Sequence, residues 1–154
     1  MNPDASNGAA EPVDLSRVIA AMRAELRCLL GPEIELALGE LPSGGTPLVH
    51  ADPEDLVDLV RHLVLDAHDA MPGRGQVTIR TGRLRAATEC AAMVIHEIPD
   101  AAPAGGDGQD RPIRKGRRLG LGASFDAIER AGGHFHVSCR GRETVVTICL
   151  PLAG

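Results

Sequence analysis

Three places in this 154-residue sequence combine residue types and spacings that could do chemistry. The first is a predicted helix on which His62, Asp66 and Asp69 stand at positions i, i+4 and i+7, so that they share one side of the helix. Carboxylate oxygens bind hard cations such as Mg²⁺, which phosphate-bearing substrates bring with them. An ordinary solvated helix face would show the same spacing, and spacing alone leaves both interpretations open.

The second place is Asp100, which directly follows a predicted strand and precedes small residues that include Ala102 and Ala104. A carboxylate at a strand end can accept a hydrogen bond from an exocyclic amine, while short neighbouring side chains let a flat ring approach. A turn capped by an aspartate is the alternative interpretation.

The third place is the turn Leu119-Gly120-Leu121-Gly122, which enters a predicted helix. Such a turn presents free backbone N–H groups and the positive end of the helix dipole, and both favour phosphate. Five cations within eight residues precede it, namely Arg111, Arg114, Lys115, Arg117 and Arg118. The combination predicts an anion site, and a basic surface loop is the alternative.

Composition limits the classes of function. The length fits one domain, and the net charge of −5 excludes a global basic footprint for nucleic acid. The only aromatic residues are Phe125 and Phe135, so base-stacking platforms are excluded as well. No apolar run approaches the ~18 residues of a membrane span, and the N-terminus lacks the features of a secretion signal. We therefore expect a cytoplasmic protein with no nucleic-acid partner.

The four cysteines, Cys28, Cys90, Cys139 and Cys149, form no CxxC pair and have no metal-type spacing. We expect all four to be buried, reduced thiols.

The elements that must position the three places alternate single helices with pairs of strands. Residues 1–12 are predicted to be a flexible lead-in, and residues 13–154 one domain. Helices are predicted from Asp14 to Leu29, from Asp52 to Met71 and from Gly120 to Ala131. Strands are predicted at 34–38, 47–50, 76–80, 89–98, 134–139 and 143–150, with an irregular loop over 99–118. This order predicts an α+β fold whose mixed sheet is covered on one face by helices.

The order and spacing of the three places resemble the nucleotide-binding domain of sensor histidine kinases, within the gyrase–Hsp90–kinase–MutL (GHKL) ATPase superfamily. The resemblance covers about residues 13–152. The stretch 50–72 is similar to the N box, the segment from Asp100 lies where the adenine-binding box Asp-x-Gly-x-Gly would be, and 119–122 is similar to the second glycine box. Further matching stretches are 77–81, 132–133 and 150–152.

The resemblance implies a Bergerat-type two-layer α/β sandwich, in which ATP and Mg²⁺ lie between a sheet and three helices under a lid. It implies that Asp100 is the adenine-recognising carboxylate and that Asp66 stands where the family has the Asn that ligates Mg²⁺. His62 stands at a position that carries a general base in some relatives. The other residues that the resemblance assigns to the cofactor are Asp69, Ala102, Ala104, Lys115, Arg118, Leu119, Gly120, Leu121 and Gly122.

The sequence departs from the family at several of these positions. Asp66 replaces the Asn, Ala102 and Ala104 replace both glycines of the adenine box, and Arg118 replaces the first glycine of the second box. The lid segment is short for the family and lacks its Phe-rich part. No phosphoacceptor helix hairpin precedes the domain, so we expect that the chain does not phosphorylate a histidine of its own.

These features predict an ATP/Mg²⁺-binding, catalytic-type domain of a two-component signalling kinase, weakened and dependent on a partner for phosphotransfer. The partner would be a phosphoacceptor histidine domain or a response regulator. Two alternatives stay open: a non-catalytic pseudo-kinase adaptor that binds a signalling protein, and an anti-sigma-type serine kinase.

Overall fold

The computed structural model of the chain describes residues 11–42, 45–71, 73–85, 88–100, 126 and 128–153. In chain order its elements are β1 (Pro12–Asp14), α1 (Leu15–Ala21), α2 (Arg23–Leu30), β2 (Ile34–Glu40), β3 (Leu48–His50), α3 (Pro53–Ala70), β4 (Gly75–Arg85), β5 (Glu89–Pro99), β6 (His134–Arg140) and β7 (Glu143–Pro151). Residues 126 and 128–130 are helical and lie within the third predicted helix. Ala131, the last residue of that predicted helix, is in a turn, and residues 120–125 and 127 and the predicted loop beyond Asp100 lie outside the described residues.

Five strands form one mixed sheet in the order β2-β4-β5-β7-β6. β2 and β4 are parallel, and the other neighbours are antiparallel. A second, two-stranded sheet is formed by β1 and β3, which are antiparallel. The predicted α+β class with a mixed sheet is therefore confirmed.

Local sequence signals set where α1 and α3 begin and where α2 ends. The Asp14 carboxylate accepts a hydrogen bond from the Ser16 N–H (2.9 Å), and the Asp52 carboxylate accepts one from the Glu54 N–H (2.8 Å). Pro53 occupies the first position of α3, where its missing N–H costs nothing. α2 ends at Gly31, whose φ of +80° is a conformation that glycine adopts at low cost.

The first predicted helix is wrong in one respect, because Met22 divides it into α1 and α2. The Met22 N–H donates to both Val18 O (3.2 Å) and Ile19 O (3.0 Å), and its ψ of 0° departs from the helical value. Met22 is itself part of the core. The break lets both short helices bury their apolar sides, although the apolar spacing reads as continuous in the sequence.

The strands also differ from the predicted ones, most clearly at Pro12, at Pro99 and at the end of β4. Pro12, assigned to the lead-in by its composition, pairs with His50 in β1. Pro99, assigned to the loop, ends β5 opposite Gly75, and β4 extends to Arg85 opposite Glu89. Pro12 and Pro99 pair with residues distant in sequence, which local composition cannot show, whereas Arg85 and Glu89 pair within one hairpin.

One face of the large sheet packs against the helices. The core combines buried side chains of α1, α2 and α3 with alternate residues of the central strands. The apolar strand residues of this face with at most 2% of their surface exposed are Val77, Ile79, Ala91, Met93, Ile95, Val146 and Ile148. Ile128, in the helical residues before β6, joins the same core. The predicted coverage of one face by helices is therefore confirmed.

Within the described ranges, no helix is both long and apolar enough to cross a bilayer.

All four cysteines are free thiols, but only two of them are buried. The expectation of burial is wrong for Cys28, which is exposed on α2, and for Cys139, which is half-buried on the edge strand β6. Cys90 and Cys149 are buried on the neighbouring strands β5 and β7. Burial, together with a hydrogen bond to Cys90, raises the pKa of the Cys149 thiol to about 12.

This difference predicts the order in which the thiols react. At pH 8 we expect an aromatic disulfide reagent to modify Cys28 first, and Cys149 only after unfolding. The thiolate is the reactive form, and four pH units below its pKa only about one Cys149 thiol in ten thousand is ionised. Peptide mass spectrometry of time points would give the order, and Cys28→Ser should remove the fast phase. Rapid labelling of Cys149 in the folded chain would contradict the prediction.

Candidate functional site

Helix α3 carries three of the predicted site residues and places them at different depths. Asp66 is buried, with 6% of its surface exposed. His62, one turn earlier, is half-buried. The Asp69 side chain is 73% exposed, and its Oδ1 lies 3.5 Å from Nδ1 of His68. The helix therefore brings His62 and Asp66 toward the interior and leaves Asp69 at the surface.

Asp100, the predicted base-recognising residue, is exposed and directly follows β5. Its backbone is held on two sides. The Asp100 N–H donates to Arg74 O (2.9 Å), and the Asp100 carbonyl accepts a hydrogen bond from Nη1 of Arg142 (2.8 Å). The remaining predicted cofactor residues, Ala102, Ala104, Lys115, Arg118, Leu119, Gly120, Leu121 and Gly122, lie outside the described residues.

The structure adds a carboxylate that the sequence analysis did not select. Glu97 is only 3% exposed, and with Asp66 and Thr81 it makes up the buried polar or charged residues of the described part of the chain. Successive side chains of a strand point to opposite faces, so Glu97 shares the helix-covered face of β5 with Met93 and Ile95. The signal was in the sequence, because Glu97 continues the alternating apolar positions 93 and 95.

The ends of α3 and β5 meet at the start of β4. A Cβ added to Gly75 would lie 2.7 Å from Met71 Sδ and 2.8 Å from Ile98 O, so these segments are in close contact, and only glycine fits there. β5 is antiparallel to β4 and runs toward this junction. α3 also runs toward it, since a short connection joins α3 to β4.

Two buried carboxylates lie a short distance along their elements from this junction. Asp66 stands about 7 Å along α3 from Met71, at 1.5 Å per helical residue. Glu97 stands about 7 Å along β5 from Pro99, at 3.3 Å per strand residue. Asp66 therefore lies in the helix layer and Glu97 on the helix-covered face of the sheet, each a few residues from this junction.

Both carboxylates have interaction partners, as buried charges require. Two buried carboxyl groups on facing layers favour a ligand that brings hydrogen-bond donors or a cation. Within the described ranges, no three His, Cys, Asp or Glu side chains are grouped so that they could hold a metal ion by themselves. A single carboxylate such as Asp66 still suits Mg²⁺, which proteins commonly bind through one or two carboxylates together with water and substrate phosphates.

Comparison with known proteins identifies the fold. No family model matches this sequence. The chain is 29% identical, over 92% of its length, to the sensor kinase CckA of Brucella abortus (strain 2308), but it spans only 17% of that protein. Among solved structures, it is similar to the mycobacterial sensor histidine kinase MprB, with a TM-score of 0.67 and 23% identity, covering 93% of this chain and 97% of the other.

A second solved structure shows the same similarity. The ATP-binding domain of PrrB from Mycobacterium tuberculosis matches with a TM-score of 0.64 and 18% identity, covering 96% of this chain and all of that domain (100%). The resemblance found in the sequence is therefore confirmed, and the chain has the Bergerat fold of histidine kinase ATP-binding domains.

Proposed function

We propose that this chain is the ATP- and Mg²⁺-binding, catalytic-type domain of a two-component signalling histidine kinase. The observation that carries the proposal is the pair of buried carboxylates, Asp66 and Glu97, on facing layers of a histidine kinase ATP-binding fold. We place this activity in the cytoplasm, where ATP and Mg²⁺ are both available.

We assign recognition of the base to Glu97. A carboxylate accepts a hydrogen bond from the exocyclic amine of adenine, and burial excludes the water that would compete for it. Glu97 lies on the helix-covered face of β5, whereas Asp100 is exposed beyond the strand end. The assignment to Asp100, made from the sequence, stays the alternative.

Asp66 would hold Mg²⁺, which when bound neutralises charge on the phosphates. His62 lies one helical turn before Asp66 and is half-buried, so an imidazole nitrogen there is available to accept a proton near the phosphates. Phosphoryl transfer depends mainly on positioning and charge neutralisation, so a buried site on two rigid elements suits it.

The acceptor would be a histidine on a partner phosphoacceptor domain. The bond between the γ-phosphorus and the β,γ-bridging oxygen breaks, a bond to an imidazole nitrogen forms, and ADP leaves. The attacking nitrogen is the unprotonated one of the ring, so the proton on the other ring nitrogen passes to a base, for which we propose His62. A response regulator would then take the phosphoryl group from the partner histidine.

Titration with ATP and Mg²⁺ tests the proposal. Ligand at about 100 times its Kd stabilises a folded protein by about 2.7 kcal/mol, so we expect binding heat in calorimetry and a raised Tm. Inorganic triphosphate with Mg²⁺ is the matched control, because it lacks the base. Neither heat nor a Tm shift at millimolar ATP would contradict the proposal.

The pseudo-kinase adaptor is the second candidate, and Asp66 favours it. Its carboxyl group stands where the family has a neutral Asn, and it would add negative charge to a space that would otherwise receive a polyphosphate. An adaptor should show no response to ATP and a defined complex with a purified response regulator or phosphoacceptor domain in gel filtration. Phosphate on a serine of a small partner would instead indicate an anti-sigma-type serine kinase.

A further inference from the structure

We propose that Arg142 is a positioning residue for base recognition, acting through the end of β5. It stands in the turn between β6 and β7 and hydrogen-bonds to Asp100, three residues beyond Glu97. This inference rests on the proposed function, because it concerns the site that Glu97 would form.

The pairing of β5 shows why this contact matters. On one side, β5 pairs with β4 as far as Pro99, opposite Gly75. On the other side, its pairing with β7 ends at Glu97, opposite Thr144. Arg142 Nη1 reaches past this point to the Asp100 carbonyl at 2.8 Å. The Arg142 side chain therefore contacts the segment 98–100, at Asp100, on the side that faces β7, where the backbone hydrogen bonds between β5 and β7 have ended.

The Arg142 contact is the last in a row of polar contacts along one end of the sheet. Glu33 Oε2, before β2, accepts a hydrogen bond from Arg74 Nε at 2.9 Å. Arg74 O, before β4, accepts one from the Asp100 N–H at 2.9 Å. Arg142 then joins Asp100 to the β6–β7 turn. The series links all five strands at the end where β5 finishes.

A second contact joins the same turn to β5. His96 Nε2 lies 2.7 Å from Glu143 Oε1, next to Arg142 in the chain. The turn is thus attached to β5 on both sides of Glu97, at residues 96 and 100. Removing the Arg142 contact frees the β7 side of residues 98–100, so the Glu97 carboxylate is held less firmly toward a base.

The test compares two arginines of one hairpin. We expect Arg142→Ala to weaken ATP binding about three- to fivefold, the size of one lost hydrogen bond. Arg142→Lys should restore most of the affinity, since an ammonium group can also donate to the Asp100 carbonyl. Arg140→Ala is the matched control, because Arg140 is an exposed arginine at the end of β6 and its removal changes the net charge equally. Equal losses in the two alanine variants would overturn the proposal.

A nucleotide without the amine gives the specific readout. Purine riboside triphosphate lacks the 6-amino group that Glu97 would recognise, so Arg142→Ala should leave its affinity unchanged. An equal loss for both nucleotides would mean that Arg142 acts through charge or general structure, and would overturn the positioning role. A wild-type chain that binds no nucleotide overturns the proposed function together with this inference. Wild-type binding with an unaffected Arg142→Ala overturns this inference alone.

Discussion

Glu97→Gln should weaken ATP binding by between about 10- and 100-fold while the chain stays folded. A hydrogen bond to a charged group contributes about 1.5–3 kcal/mol, and the amide keeps the shape of the side chain while it removes the charge. Glu97 has an interaction partner, and removing one member of a buried pair destabilises a protein, so the amide, which can still hydrogen-bond, is preferred to alanine. Calorimetric titration would give the affinity, and urea unfolding would give the free energy of unfolding.

Two comparisons decide what such a loss means. Purine riboside triphosphate should bind Glu97→Gln and the wild type alike, because it has no amine to donate. Asp100→Asn should change ATP affinity little, since the Asp100 carboxylate is exposed. The reverse pattern, with the loss in Asp100→Asn and none in Glu97→Gln, would return base recognition to Asp100, where the sequence analysis placed it.

The fold was predictable wherever the signals were local. Asp52 followed by Pro53 is a helix start in any context, and the structure begins α3 there. The last hairpin turns at Gly141, whose φ of +57° favours glycine, and its strands were predicted almost to the residue. Neither feature depends on residues distant in sequence, so both could be predicted from the local sequence.

Features that depend on distant partners could not be predicted. β1 has three residues and includes Pro12, and it exists only because Leu48–His50 lies beside it. The predicted strands at 34–38 and 47–50 looked like a pair, yet β2 pairs with β4 and β3 with β1. Alternating apolar residues indicate that a segment is a strand, but they do not indicate its neighbour.

In the candidate site, too, some residues could be selected from local spacing and others could not. Asp66 could be selected because helical spacing relates it to His62, and its burial agrees with a role in the interior. Glu97 was not selected because the small residues after Asp100 resemble the family's adenine box, whereas the alternation along the strand marks Glu97 as a buried position. The rule that side chains alternate across a strand would have separated the buried Glu97 from the exposed Asp100.

Under the proposed function, Asp66→Asn should strengthen Mg-ATP binding about tenfold. The same substitution should strengthen the binding of metal-free ATP by a larger factor. An amide oxygen can still ligate Mg²⁺, so the substitution removes a charge and keeps a ligand atom. Removing the Asp66 charge relieves its repulsion of the phosphates, and a tenfold gain in affinity corresponds to about 1.4 kcal/mol. Mg-ATP still carries net negative charge, and metal-free ATP carries more, so the gain in affinity should grow when EDTA removes the metal.

The control for this experiment removes one charge from the surface of the same helix. Asp58 is exposed and pairs with Arg61 at 2.8 Å, and exposed ion pairs contribute little, so Asp58→Asn should leave both affinities nearly unchanged. If Asp66→Asn instead weakens Mg-ATP binding, the carboxylate is needed as a metal ligand. The substitution of Asp for the family's Asn would then be an adaptation to tighter metal binding, because the charge of Asp66 would contribute more to holding the cation than it costs in repulsion of the phosphates.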